Sequence, residues 1–191
     1  MTGITDLEPS LGGKWVQLLK QVAPGIARVG IAYNPDEGTL SVPLMTALKE
    51  SAGRAGVGVV DLPIRNDAEI ENMIATFANE PSGGLIFPSD IFTVAHRAQI
   101  IAATNSHRIP AVFPYRYYAV DGGLAAYSPD QPSEFRQAAY FVDRILHGEK
   151  PGDLPVQTPD KYELVINLKT ANALGLAIPA GMLSVADELI E

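Results

Sequence analysis

Arg28-Val29-Gly30-Ile31-Ala32-Tyr33, followed at once by Asn34-Pro35-Asp36-Glu37-Gly38, decides the fold. Six nearly all-apolar residues suit a short strand buried on both faces, as in a parallel sheet covered by helices. The Asn-Pro-Asp-Glu-Gly run then turns the chain. Upstream, Leu11, Trp15, Leu18, Leu19 and Val22 recur at helical spacing between Pro9 and Val22, and Ala23-Pro24-Gly25 stops that helix. Downstream, a helix from about Leu40 to Ala55 leads to the strand Val57 to Leu62. Asp67 then reads as the N-cap of a helix to Ala78, with Glu69 and Glu71 complementing its dipole.

The rhythm repeats. Gly84-Leu85-Ile86-Phe87 is a strand with Pro88-Ser89-Asp90 as its exit, and Ile91 to Asn105 is a helix. Pro110-Ala111-Val112-Phe113 and Gly123-Leu124-Ala125-Ala126-Tyr127 are further strands. A helix from about Pro132 to Leu146 ends at His147-Gly148, a C-cap signature. A proline-rich connector (Pro151 to Pro159), a strand (Leu164 to Leu168), a short helix (Thr170 to Leu174) and a tail turning helical near Ser184 complete the chain. Alternating strands and helices with short connections define an α/β fold. Right-handed crossovers leave few topologies, of which a doubly wound parallel sheet with strand order 2-1-3-4-5 is the simplest.

Composition bounds the function. The 191 residues suffice for a sizeable core, and no run approaches the roughly 18 apolar residues of a membrane helix. A net charge of −8 lacks the basic field that holds nucleic-acid backbones, so no nucleic-acid partner is expected. Without cysteine there is no thiol nucleophile, disulfide or zinc ribbon, and the count fits any compartment. Met1 leads into Thr2-Gly3-Ile4-Thr5-Asp6 with neither a basic nor an apolar leader region, so no export signal is expected in the chain as written.

Enzyme signatures are absent. His96, His107 and His147 lack paired-ligand spacing, there is no Gly-x-Ser-x-Gly elbow, and the first strand ends without a Gly-x-Gly-x-x-Gly turn. Gly12-Gly13-Lys14 lacks the remaining residues of a phosphate loop. Neither catalysis nor a cofactor or metal is expected.

Ligands of open parallel sheets bind outside the carboxyl ends of the strands. Those ends supply the candidate ligand-binding residues Asn34, Ser89, Asp90, Phe113, Tyr115 and Arg116. Each has a plainer reading. Asn34-Pro35 initiates a turn, and Ser89-Asp90 caps a helix, a role compatible with a ligand contact. Arg116 either meets a ligand carboxylate or bridges to a local acid such as Asp121. The Tyr115 to Tyr118 cluster, three tyrosines and an arginine in four positions, is the least like an ordinary loop.

These residues also carry a family likeness. Thr2-Gly3-Ile4-Thr5-Asp6-Leu7-Glu8-Pro9-Ser10, the Asn34-Pro35 turn, Pro88-Ser89-Asp90 and Phe113-Pro114-Tyr115-Arg116 resemble the tryptophan/tyrosine-type ABC transporter substrate-binding proteins. So do Gly122-Gly123-Leu124, Ile145-Leu146-His147-Gly148-Glu149-Lys150-Pro151, Glu163 to Ala171, and Ala173 to Pro179. The resemblance implies a type I periplasmic-binding-protein fold, a periplasmic location, and a small polar or aromatic solute, such as an amino acid, passed to a membrane permease. Asp90 would then meet an ammonium group, Arg116 a carboxylate, and Phe113 and Tyr115 an apolar part, with hydrogen bonds from Ser89. Against that family pattern the chain is expected to be without a signal peptide and a first lobe. Residues 1–122 are expected to form the C-terminal-type lobe. Residues 123–191 are expected to return and pack on the first lobe or on a dimer partner. The apolar helix residues Phe135, Ala138, Phe141, Val142 and Ile145 point to a homodimer. The alternative is a cytoplasmic small-molecule sensory or regulatory module of the same fold.

Overall fold

A computed structural model describes residues 2–5, 8–37 and 42–191. The rhythm of the sequence becomes β2 (Arg28–Tyr33), β3 (Gly58–Pro63), β4 (Gly83–Ile86), β5 (Ala111–Phe113) and β6 (Ala125–Pro129), preceded by the short β1 (Gly3–Ile4). Strands β2 to β6 are parallel in the order β3-β2-β4-β5-β6, the expected 2-1-3-4-5 arrangement. Helices α1 (Ser10–Val22) and α2 (Val42–Arg54) cover one face, where Trp15, Leu19, Val22, Leu44 and Leu48 pack on Val29, Ile31 and Ile86. The other face is covered by α3 (Asp67–Ala78), α4 (Ile91–Ala95), α5 (Arg97–Ser106) and α6 (Arg116–Val120). Their Ile70, Ile74, Phe77, Ile100 and Tyr118 pack on Leu85, Phe87 and Phe113. Burial on both faces is why these strands read as continuous apolar runs rather than alternating ones.

The structure corrects the sequence reading locally. The cap of α3 is Asn66, not Asp67. Asn66 is extended at φ −149° and ψ 164°, and its Oδ1 accepts the Glu69 N–H at 3.2 Å while Glu69 Oε1 accepts from Asn66 Nδ2 at 2.7 Å. The single helix expected from Ile91 to Asn105 is broken at His96, whose ring Nδ1 hydrogen-bonds the Phe92 carbonyl at 2.9 Å. Leu40, the expected start of the second helix, lies outside the described residues, as does Gly38 of the first turn.

Past β6 the chain forms α7 (Gln131–Leu146), β7 (Val156–Gln157), β8 (Tyr162–Asn167), α8 (Leu168–Ala173), α9 (Ala180–Val185) and β9 (Glu188–Ile190). His147 and Gly148, the latter at φ +103°, end α7 as the sequence indicates. Strand β8 pairs antiparallel with β6, and β9 pairs parallel with β8, extending the sheet to seven strands. Residues beyond 122 thus supply three of its strands. Standing off the sheet is a small unit in which β1 pairs in parallel with β7 and α7 packs on β1. Helix α7 buries Phe141 but leaves Phe135 76% and Leu146 79% exposed.

The chain therefore passes three times between this unit and the sheet, and all three crossings meet at the carboxyl edge of the parallel strands. Glu8 and Pro9 lie on the first, Asp130 on the second and Asp160-Lys161 on the third. Tyr162 donates its hydroxyl to Glu8 Oε2 at 2.9 Å, and the Asp130 N–H donates to the Lys161 carbonyl at 2.9 Å.

Candidate functional site

At the carboxyl edge, β4 and β5 end side by side, so Pro88-Ser89-Asp90 and Pro114-Tyr115 face each other. Ser89 Oγ and the Tyr115 hydroxyl lie 2.5 Å apart, in hydrogen-bond contact. Around this pair is a hollow of about 290 Å³, completed by Asp90, Ile91, Val94, Tyr117 and Gln131.

Asp90 is 3% exposed and caps α4. Its Oδ1 accepts the Thr93 N–H at 2.6 Å, and its Oδ2 accepts the Asn34 N–H at 3.3 Å. The carboxylate therefore ties the exit of β2 to that of β4. The Asn34 side chain closes its own turn, with Oδ1 accepting the Asp36 N–H at 2.9 Å. Asn34 lines a separate hollow of about 450 Å³ with Tyr33, Met45 and Lys49.

Phe113 is fully buried. Its ring stacks on Phe87 at 5.3 Å and on Tyr118 at 4.9 Å, and the column continues through Tyr117 to Tyr115 at 5.3 Å per step. Five aromatic rings thus run from the core to the hollow, and Tyr115 is the ring at its mouth. The stacking expected of Phe113 on a solute is occupied by its neighbours, because its ring lies in the core on the sheet face covered by α3 to α6. Burial, reinforced by the Tyr115 phenol, pushes Tyr117 up to about 12 against the opposing pull of Arg97. Burial also holds Tyr118 above the ordinary tyrosine range. Both phenols are neutral hydrogen-bonding groups at physiological pH.

Arg116 turns away from the hollow and grips Glu188 of β9 through two hydrogen bonds. Asp121, the partner suggested by the sequence, instead takes Arg97 at 2.8 Å. The structure thus brings together Ser89, Asp90 and Tyr115, joins Asn34 to them through its backbone, and sets Phe113 beneath and Arg116 beside them. Sequence reasoning did not single out Ile91, Val94, Tyr117 or Gln131. Tyr117 lay within the aromatic run already noted, and Ile91 directly follows the Asp90 cap. Gln131 carries no local signal, since it reaches the hollow only because β6 delivers the chain there. Among the described residues no three His, Asp or Glu side chains are grouped to hold a metal ion.

A doubly wound sheet, three crossings at its carboxyl edge and a hollow beside them define a lobe of the type I periplasmic-binding-protein fold. More specifically, the chain belongs to the family described as ABC transporter substrate binding protein, which matches residues 1–190. It is 25% identical over 163 residues to the tyrosine-binding protein of Clostridioides difficile (strain R20291), covering 85% of this chain and 47% of that protein. Among solved structures it is similar to a conserved domain protein from Vibrio cholerae, at 30% identity and a TM-score of 0.87, covering 98% of this chain and 62% of that one. An ABC domain from Streptococcus pneumoniae in complex with L-Trp shares the fold at 24% identity and a TM-score of 0.83, covering 99% of this chain and 64% of that one. The chain thus spans about half the length of the curated relative and under two thirds of these solved chains. The family and the curated relative are binding proteins rather than enzymes.

Proposed function

We propose that this chain is the C-terminal-type lobe of a solute-binding protein that takes up an aromatic amino acid and delivers it to an ABC permease. The observation that carries this reading is the aromatic column ending at Tyr115, with its hydroxyl held by Ser89 at the mouth of the hollow. A flat apolar ring stacks on such a plate, while Ser89, Asp90 and the neutral Tyr117 phenol supply the few placed polar groups a small-molecule site needs. The tyrosine-binding relative and the L-Trp-bound structure support the same solute class. Function in the periplasm follows from that role, and among the described residues no helix is long and apolar enough to cross a membrane.

The exposed apolar face of α7, with Phe135, Val142 and Leu146, takes cover on a further lobe in a longer protein or on a second copy of this chain. The second copy makes a homodimer, and light scattering during size-exclusion chromatography tests it. A monomer at micromolar concentration removes the dimer. Isothermal titration with L-tyrosine, L-tryptophan, L-leucine and D-ribose tests the solute class. Heat from the two aromatic amino acids alone is the expected result, and preference for D-ribose would overturn it.

A further inference from the structure

Gln131 is the first residue of α7, and it lines the Ser89–Tyr115 hollow although its helix belongs to the unit standing off the sheet. The residue before it is held on every side. The Asp130 N–H donates to the Lys161 carbonyl at 2.9 Å, Lys161 Nζ donates to Asp130 Oδ2 at 2.6 Å, and Asp130 Oδ1 accepts the Ser133 N–H at 3.0 Å. Asp130 thus caps α7 and anchors it to the chain entering β8 with the same carboxylate. Asp130 is one of the three crossings that join the α7 unit to the sheet, and the direction in which α7 leaves it sets where Gln131 lies against the hollow. Resting on the proposed solute-binding role, we infer that Gln131 is a solute contact supplied from the far side of the crossings, and that Asp130–Lys161 is the clasp that positions it. The carboxamide offers two donors and an acceptor to a polar group of the solute. Lys161 touches no solute and acts only through the direction in which α7 leaves.

The test combines NMR titration of the whole chain with a double-mutant cycle, because two residues acting through one contact are non-additive whereas separate structural roles add. The probes are L-tyrosine, L-tryptophan and D-ribose. The expected result is that an amino acid shifts the signals of Ser89, Tyr115 and the Gln131 side-chain amide together. Gln131→Ala should weaken its binding at least fivefold. Lys161→Met should weaken it about threefold alone and have no further effect when Gln131 is already alanine. Asp130→Asn keeps the cap oxygen while loosening the Lys161 contact, and it takes the place of Lys161→Met if that variant fails to fold. Shifts at Ser89 and Tyr115 without Gln131, or additive losses in the cycle, overturn the inference. Shifts at all three residues with D-ribose alone support it while overturning the aromatic amino-acid reading. No shift with any probe overturns the hollow as a site, and this inference with it.

Discussion

The Arg116 guanidinium closes on the Glu188 carboxylate with two hydrogen bonds, 2.7 Å from Nε and 2.8 Å from Nη2. The geometry is the fork that recognises a carboxylate, and here the carboxylate comes from the chain's own last strand. Both side chains are partly open to solvent, so the pair contributes at most about 1 kcal/mol. Arg116→Ala should therefore lower stability by about 0.5–1 kcal/mol and change solute affinity less than threefold. Urea denaturation and titration calorimetry read the two effects separately. A tenfold loss of affinity at unchanged stability would show that Arg116 leaves Glu188 to meet the solute.

The Ser89–Tyr115 contact carries a different expectation. Tyr115→Phe keeps the ring at the end of the aromatic column and removes only the hydroxyl, so it should cost about 1 kcal/mol of binding, roughly fivefold in affinity. Tyr115→Ala removes the plate as well and should cost more than the phenylalanine variant. Equal losses for the two variants would mean that the ring does not touch the solute.

The parallel half of the sheet was legible because a strand buried on both faces has no polar positions. Val29, Ile31, Leu85 and Ile86 announce it whatever packs on them. The last strand was not legible. β9 is three residues, Glu188-Leu189-Ile190, too short for any periodicity, and it exists only because β8 offers an unpaired edge. The reversal of β8 was hidden for a related reason, since its direction is set by re-entry from the α7 unit rather than by a crossover helix. For the site, residue type and position at a strand end found Ser89, Asp90 and Tyr115. They could not separate Phe113, which points inward, from Tyr115, which points out, because that depends on where α6 begins. Nor could they foresee Arg116 meeting Glu188, a partner 72 residues away.

The paired glycines of α1 offer a sharp contrast. A Cβ on Gly12 would lie 2.8 Å from the Leu44 carbonyl oxygen and 3.1 Å from the Leu48 nitrogen, backbone atoms of α2 that cannot swing aside. A Cβ on Gly13 would meet Ser51 at an ordinary 3.7 Å. Gly12 thus serves the close approach of two helices, whereas Gly13 does not. Gly12→Ala should destabilise by about 1–3 kcal/mol through overpacking. Gly13→Ala should be neutral or stabilise by up to about 1 kcal/mol, since alanine is the better helix former. Thermal melts of the two variants test the contrast, and equal melting temperatures would contradict it.

The Asp130–Lys161 clasp makes stability depend on pH in a defined direction. The hydrogen bond from Lys161, followed by that from the Ser133 N–H, lowers the Asp130 pKa below the usual 3.8. A carboxylate depressed in the folded state stabilises above its unfolded pKa, and this contribution disappears as pH falls through the folded value. Lys161 is raised above 10.5, chiefly by its hydrogen bond to Asp130, so its contribution is complete below 10.5 and is lost as pH rises through the raised value. The stability difference between the wild-type chain and Asp130→Asn should therefore be level from about pH 5 to 9 and shrink below about pH 3.8. For Lys161→Met it should shrink above about pH 10.5 as well. Urea denaturation across that range measures both. A difference that stays constant down to pH 2 would show that the carboxylate contributes as a cap oxygen alone and that its charge does not hold α7.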